Sequence, residues 1–149
     1  MAEKDNATIA RAFFEGWNER DFDRPAALVA EDGEIVEVAT GESFRGPAGA
    51  RHEYEKWAAG LPDGRVEINN VIASGNWAVV ESTLRGTNTG PFASAAGEIP
   101  ATGQALEFDF CTVMEIKDGK VVRGRHYHDV ATMMRQLGLL PEVAVGATA

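Results

Sequence analysis

The chain has 149 residues, enough for one compact domain and too few for two well-stabilised ones. Hydrophobic residues make up 44% of the sequence and charged residues 25%, a composition that excludes disorder, collagen and coiled coil. The 23 Asp and Glu residues outnumber the 14 Lys and Arg residues. The resulting net charge of −9 repels a phosphate backbone, so we expect no nucleic-acid partner.

The cysteine content and the N-terminus favour the cytoplasm. Cys111 is the single cysteine, so the chain cannot form an internal disulfide, and no Cys/His grouping indicates a zinc site. The N-terminal segment carries charges where a signal peptide needs an apolar stretch. No run approaches the roughly 20 apolar residues of a membrane span. We therefore expect a cytoplasmic protein that does not enter a membrane.

Four segments have the apolar spacing or the end signals of helices. In the third, Arg51, Glu55 and Lys56 are expected to face water, opposite a stripe that contains Tyr54 and Trp57. The predicted helices run from an N-cap at Asp5 or Asn6 to residues 19–21, from near Pro25 to a turn at residues 31–33, from about Ala48 to Ala59, and from Val130 to Leu137.

Strand-like segments alternate with the helices early in the chain and dominate it after Gly64. The pair Asp118-Gly119 predicts a tight hairpin, whereas residues 90–103 form a long excursion rich in Gly, Ala and Pro. The predicted strands are residues 35–38, Arg65–Ala73, Trp77–Thr87, Leu106–Ile116 and Lys120–Asp129.

This order of elements predicts an α+β fold in one domain over residues 1–149, with a mobile tail at about 142–149. We expect a cone-shaped, curved antiparallel or mixed sheet that wraps around the N-terminal helices, with a short C-terminal helix. The open end of such a cone is a natural pocket for a hydrophobic small molecule. The candidate pocket walls are Phe14, Trp17, Tyr54, Trp57, Phe108, Phe110, Met114 and Tyr127.

Titratable residues are densest at the end of the last predicted strand. Asp129 precedes an apolar helical run, as an N-cap does, and at an apolar pocket wall its pKa would rise until it served as a general acid or base. His126 and His128 share one strand face and could polarise a carbonyl or relay a proton. No third ligand accompanies them, so we expect no metal. Asp109 alternates to the opposite face from Phe108 and Phe110, and is a secondary candidate.

A family resemblance rests on several motifs in a fixed order. These are the helix with Trp17, Phe44-Arg45-Gly46-Pro47, Leu61-Pro62-Asp63, Arg85 to Phe92, Ile99 to Gly103, Asp118 to Val121, Asp129, and Arg135 to Gly138. In this order the chain resembles the SnoaL-like polyketide cyclase, or ester cyclase, family over nearly its whole length. The resemblance implies the cone-shaped α+β barrel of the nuclear-transport-factor-2-like superfamily and no cofactor.

The resemblance also implies a reaction, an intramolecular aldol condensation in which an aspartate at the position of Asp129 removes a proton beside a carbonyl. Many relatives have histidine at Asn88, and the cyclases carry a catalytic histidine on the strand of Met114 and Glu115. In this chain His126 or His128 could supply that donor, and the Asn88 amide could bind a substrate carbonyl.

The leading hypothesis is therefore a cofactor-independent acid/base enzyme that cyclises a polyketide-type ester, with Asp129 as its base. The alternatives are a cofactor-independent hydroxylase, an isomerase or dehydratase of a polycyclic substrate, and a non-catalytic ligand-binding dimer module. Homodimerisation is expected from the family and from a sheet whose outer face no helix covers.

Overall fold

The structure is a computed structural model, and it describes residues 2–94 and 97–140, with side chains from residue 5 onward. The predicted tail at 142–149 lies outside the described residues. The helices are α1 (Ala2–Asn18), α2 (Asp23–Ala26), α3 (Gly46–Gly60) and α4 (Val130–Gln136). The strands are β1 (Val29–Glu37), β2 (Glu42–Arg45), β3 (Arg65–Ser74), β4 (Trp77–Thr87), β5 (Phe92–Ser94), β6 (Gly97–Ile99), β7 (Ala105–Lys117) and β8 (Lys120–His128).

Six of these strands form one curved mixed sheet in the order β2-β1-β8-β7-β4-β3. The pairing of β1 with β8 is parallel, and the other four pairings are antiparallel. β5 and β6 form a separate small ribbon within the predicted excursion. The α+β fold with N-terminal helices, a curved mixed sheet and a short C-terminal helix is therefore confirmed.

The core lies between the helices and one face of the sheet. Ala10, Phe13, Phe14 and Trp17 recur at helical spacing on α1 and are all buried. On β7 the buried residues all lie at even-numbered positions, Leu106, Phe108, Thr112, Met114 and Ile116, because alternate side chains of a strand point to one face. Both periodicities therefore direct apolar side chains into the same space.

The sequence prediction fails at both ends of the N-terminal helical region. α1 begins at Ala2, so Asp5 and Asn6 lie inside it, and the Asn6 amide instead donates to the carbonyl of Gly75 at 3.0 Å. The predicted turn at residues 31–33 is part of β1, which begins at Val29. The register of β1 against β8 shifts between Val29 and Glu34, and this irregularity accommodates the acidic, glycine-containing segment within a strand.

The Asn88 side chain connects the loop after β4 to the end of α3 through hydrogen bonds. Its amide is fully buried and donates to the carbonyls of Gly60 and Gly90, at 3.0 and 2.7 Å. Its carbonyl oxygen accepts from the backbone N–H and the hydroxyl of Thr102, both at 2.8 Å. The hydrogen-bonding capacity of the Asn88 side chain is thus used inside the protein.

Candidate active site

A cavity lies in the concave side of the sheet, beneath α1 and α3. Its volume is about 70 Å³, which corresponds to roughly five water molecules. Apolar and aromatic side chains provide most of the wall, and two histidines and two glutamates provide the titratable groups. The lining residues are Phe14, Trp17, Glu37, Glu53, Tyr54, Trp57, Val66, Leu84, Phe108, Phe110, His126 and His128.

His126 is held at the cavity wall by partners on both ring nitrogens. Nδ1 lies 2.7 Å from the Thr112 hydroxyl, on the neighbouring strand β7. Nε2 lies 3.3 Å from Glu53 Oε1, and also 3.3 Å from Oε2, on helix α3. Burial acts to lower the pKa of His126, but the charge and hydrogen bond of Glu53, aided by the charge of Glu37, raise it overall. The ion pair therefore favours the imidazolium form.

His128 lies two residues further along the same strand face and has a different environment. Its ring stacks on Phe108 at a centroid distance of 5.7 Å and meets Trp57 edge-on at 5.8 Å. Burial lowers its pKa; Glu37 opposes this effect, while the positive charges of His126 and Lys56 reinforce it. Within the described residues neither ring nitrogen of His128 has a hydrogen-bond partner, so the neutral ring is free to accept a proton.

Glu37 and Lys56 form a buried ion pair beside the histidines. The Lys56 ammonium lies 2.6 Å from Glu37 Oε1 and 2.8 Å from Glu42 Oε1, and the Trp57 indole N–H donates to Glu37 Oε2 at 3.0 Å. Lys56 was predicted to face water, but its side chain is only 9% exposed. The two carboxylates explain the difference, because they stabilise a charge that would otherwise remain in solvent.

Tyr54 lines the cavity and carries a buried hydroxyl. Its side chain is 5% exposed, and in the described part of the chain the hydroxyl makes no hydrogen bond. Phe13 contacts the ring edge-on at 6.1 Å, and Phe22 stacks on it at 6.4 Å. Burial, with a smaller contribution from Glu53, raises the pKa of Tyr54 well above 10, so the phenol stays protonated.

Asp129 lies outside the cavity and does not have the environment that its predicted role requires. It is the N-cap of α4, as the sequence suggested: its carboxylate accepts from the backbone N–H groups of Ala131 and Thr132 and from the Thr132 hydroxyl. The side chain is exposed, and the Thr132 hydrogen bonds are the main cause that lowers its pKa. The expected desolvation and raised pKa are therefore wrong, while a catalytic role for Asp129 stays a prediction.

Four other predicted site residues also lie away from the cavity. Asn88 is occupied by the loop contacts described above, and Met114 is 1% exposed within the core. Tyr127 is 40% exposed and, with Asp109, lines an open outer groove, which Phe110 and His128 also border. Asp109 accepts a hydrogen bond from the Thr83 hydroxyl at 2.6 Å. By contrast, Phe14, Trp17, Tyr54, Trp57, Phe108, Phe110, His126 and His128 all line the cavity.

The cavity also contains two acidic residues that the sequence analysis missed. Glu37 follows Ile35 by two positions on β1, so strand alternation places both on the inner face. Glu53 precedes Trp57 by four positions on α3, so helical spacing places it on the inward stripe. These periodicities were the available signals. In the described ranges, no three His, Cys, Asp or Glu side chains are arranged to hold a metal ion.

Comparison with known proteins identifies the family. The model of the SnoaL-like polyketide cyclase family matches residues 7–137. A structure from Jannaschia sp. CCS1, described as a SnoaL-like polyketide cyclase, is 23% identical with a TM-score of 0.80, covering 93% of this chain and 95% of that one. The structure of AclR from Streptomyces galilaeus, described as a hydroxylase, is 18% identical with a TM-score of 0.79, covering 98% and 93%.

A third similar structure, an epoxide hydrolase from M. tuberculosis of the type called LEH-like, is 21% identical with a TM-score of 0.69, covering 91% of this chain and 90% of that one. At these identities the solved structures establish the shared fold alone. The search of curated proteins finds no match. No helix among residues 2–94 and 97–140 is long and apolar enough to cross a membrane. The family match spans most of the sequence, and the chain belongs to the SnoaL-like polyketide cyclase family.

Proposed function

We propose that the protein is a cofactor-independent enzyme that moves protons next to the carbonyl group of a hydrophobic small molecule. The observation that carries the proposal is the pair of cavity histidines, whose pKa values shift in opposite directions. Two titratable groups of opposite proton occupancy in one apolar site are the requirement for combined acid and base catalysis. In this proposal His128 is the base and His126 is the acid.

The first step is the formation of an enol. Neutral His128 removes a proton from the carbon beside the carbonyl, and the electron pair of the broken C–H bond becomes part of a carbon–carbon double bond. The carbonyl oxygen gains negative charge, which the Nε2 proton of His126 stabilises by hydrogen bonding or transfer. The 3.3 Å separation of Nε2 from Glu53 is long for a charged hydrogen bond, so a substrate oxygen can compete for that proton.

The second step determines the reaction class. In an aldol ring closure, the enol carbon attacks a second carbonyl of the same molecule, so that a carbon–carbon bond forms and the π bond of that carbonyl breaks. The first carbonyl re-forms as its oxygen returns its proton to His126, and the new alkoxide takes the proton held by His128. We propose this reaction on a polyketide-type ester, because the chain belongs to a family of polyketide cyclases. Glu53 serves as a positioning residue, since it fixes the His126 ring and supports its charge.

Isomerisation or dehydration is the second candidate, and one observation favours it. No protein group among the described residues hydrogen-bonds the His128 ring, so none of them is positioned to take a proton onward from it. That proton is most readily returned to the substrate, and return to a different carbon moves a double bond. NMR of the product separates cyclisation from isomerisation, because cyclisation removes a carbonyl that isomerisation leaves in place, and mass identifies dehydration by the loss of one water.

The test is deuterium incorporation from heavy water into a panel of small β-keto esters and cyclic ketones. The wild type is expected to accelerate exchange beside the carbonyl, and His128→Gln is expected to lose at least about a hundredfold of that rate. His52→Gln is the matched control, because His52 is exposed and does not line the cavity. Full exchange activity in a folded His128→Gln variant would overturn the assignment of the base.

A further inference from the structure

Two residues that line the cavity carry buried polar atoms without hydrogen-bond partners, and these atoms indicate which groups a ligand needs. Within the described residues, the buried side-chain atoms that make no hydrogen bond are Glu53 Oε2, Tyr54 Oη and Ser82 Oγ. Glu53 and Tyr54 both line the cavity, whereas Ser82 lies at the outer groove. A buried polar group without a partner costs about 1 to 3 kcal/mol, so a ligand that pairs with both cavity groups gains that energy on binding.

The two groups require opposite partners. The Tyr54 phenol stays protonated, so it donates a hydrogen bond to an oxygen acceptor such as a carbonyl. Both Glu53 carboxyl oxygens lie 3.3 Å from Nε2 of His126, but only Oε1 is hydrogen-bonded to that nitrogen, so Oε2 keeps its capacity to accept a hydrogen bond. A ligand hydroxyl can therefore donate a hydrogen bond to Glu53 Oε2. Both residues are adjacent on α3 and reach the same cavity, so one short molecule can meet both requirements.

The cavity also limits the size of the ligand. Its volume of about 70 Å³ has room for roughly five waters, so the enclosed part holds only a small portion of a ligand. The remaining walls are aromatic or aliphatic and offer no further polar contact apart from the histidines and Glu37. A fused polycyclic substrate would therefore place only one ring, or one end, in this space.

We propose that the cavity recognises a carbonyl oxygen and a hydroxyl group on carbons 1 and 3 of one short carbon frame, with Tyr54 Oη donating to the carbonyl and Glu53 Oε2 accepting from the hydroxyl. The β-hydroxycarbonyl unit and the enol of a 1,3-dicarbonyl have this pattern. This inference rests on the proposed function and deepens it, since a β-hydroxycarbonyl is what an aldol addition forms and the enol is what proton removal forms.

Equilibrium binding of two small probes tests this proposal without turnover. Acetylacetone presents an enol hydroxyl beside a carbonyl, and 2-pentanone presents the carbonyl alone. We expect saturable binding of acetylacetone to the wild type, followed by the chemical shifts of the Trp17 and Trp57 indole N–H groups in the cavity wall. We expect 2-pentanone to bind about tenfold more weakly, because it leaves Glu53 Oε2 without a donor.

Two pairs of matched variants identify the contacts. Tyr54→Phe should weaken both probes about tenfold, whereas Tyr127→Phe, on the outer face, should change neither. Glu53→Gln should weaken acetylacetone alone, whereas Glu55→Gln, exposed on the same helix, should change neither probe. Tyr54→Phe should also unfold at the same temperature as the wild type or higher, because it removes a buried hydroxyl that has no partner.

The outcomes separate this inference from the proposed function. Absence of saturable acetylacetone binding to the wild type would overturn the inference, as would unchanged binding in Tyr54→Phe and Glu53→Gln. If deuterium exchange were nevertheless lost in His128→Gln, the acid/base proposal would be supported although the inference had failed. Conversely, probe binding that depends on both Tyr54 and Glu53, with exchange retained in His128→Gln, would support the inference and contradict the assigned base.

Discussion

His126 and His128 lie two residues apart on the inner face of β8, and their environments favour opposite charge states. Glu53 pairs with His126 and raises its pKa, whereas Phe108 and Trp57 enclose His128, whose pKa burial lowers. One strand therefore presents a protonated and a neutral imidazole to the same cavity. This arrangement arises from the neighbours of β8, since the two residues are chemically identical.

The pH dependence of turnover should be bell-shaped around neutrality. The base His128 must be neutral, so activity should fall on the acid side with an apparent pKa below 6.5. The acid His126 must be protonated, so activity should fall on the alkaline side with an apparent pKa above 6.5. The measurement is the initial rate of deuterium exchange as a function of pH. An acid limb near 4, typical of a carboxylate, would contradict His128 as the base.

The His126–Glu53 ion pair should make stability depend on pH in a defined direction. A histidine whose pKa is raised by folding stabilises the native state fully below its unfolded pKa, about 6.5, and loses that contribution as the pH rises through the folded value. Urea unfolding across this range should show the wild type losing stability as the pH rises. In Glu53→Gln this loss should shrink or vanish, and an unchanged loss would show that Glu53 does not set the pKa of His126.

Asp129 is the residue on which the proposed function differs from the role that the family resemblance implies, because His128 as the base leaves Asp129 only its place as the N-cap of the last helix. Asp129→Asn keeps a side-chain oxygen for the N-cap and should retain stability and exchange activity, whereas Asp129→Ala should lower the melting temperature with activity retained below it. Thermal unfolding and deuterium exchange on the same samples check both. A folded Asp129→Asn variant without activity would instead support Asp129 as the base, as the family resemblance implies.

Removal of Lys56 should destabilise the protein strongly. Lys56→Met leaves the carboxylate of Glu37, 1% exposed, without its cation, and breaking a buried pair in this way costs about 3 to 5 kcal/mol. Urea unfolding should show this loss, and the double variant with Glu37→Gln should recover much of it. Lys117→Met is the control, since Lys117 pairs with Glu115 at the surface and should change stability by less than about 1 kcal/mol. Equal effects of the two substitutions would contradict the burial of the Lys56 pair.

The outer face of the sheet predicts a homodimer. Ile72, Trp77 and Tyr127 are 53%, 42% and 40% exposed, and strand pairing places all three on the same face. Light scattering at micromolar concentration should give twice the mass of one chain, and Trp77→Glu should shift it toward the monomer. Leu139→Glu, outside the sheet, should leave the mass unchanged. A wild-type mass of one chain would contradict the prediction.

The sequence predicted the elements well where one face is uniformly apolar and poorly where polar residues turn inward. The limits of β3, β4, β7 and β8 agree with the prediction within two residues, because alternation and the Asp118-Gly119 turn mark them clearly. The start of β1 was missed because an acidic, glycine-containing segment resembles a turn until the neighbouring β8 pairs with it.

The candidate site was predicted from the sequence only as far as local spacing determines which face a residue lies on. Strand alternation correctly grouped His126 with His128 on one face of β8 and placed Asp109 on the opposite face of β7 from Phe108 and Phe110. Their opposite pKa shifts depend on Glu53, Glu37 and Trp57, which approach from α3 and β1. Local spacing cannot reveal which carboxylate a distant helix presents to a strand. The desolvation expected for Asp129 failed for a related reason, because its position after the last residue of β8 leaves it in solvent.

The most direct measurement is an NMR titration of the three histidine rings. His126→Gln and His128→Gln assign the signals, and no substrate is needed. We predict that the signal lost in His126→Gln titrates above 6.5 and that the signal lost in His128→Gln titrates below it. The reverse order, or two cavity histidines that titrate together, would contradict the acid and base roles on which the proposed function depends.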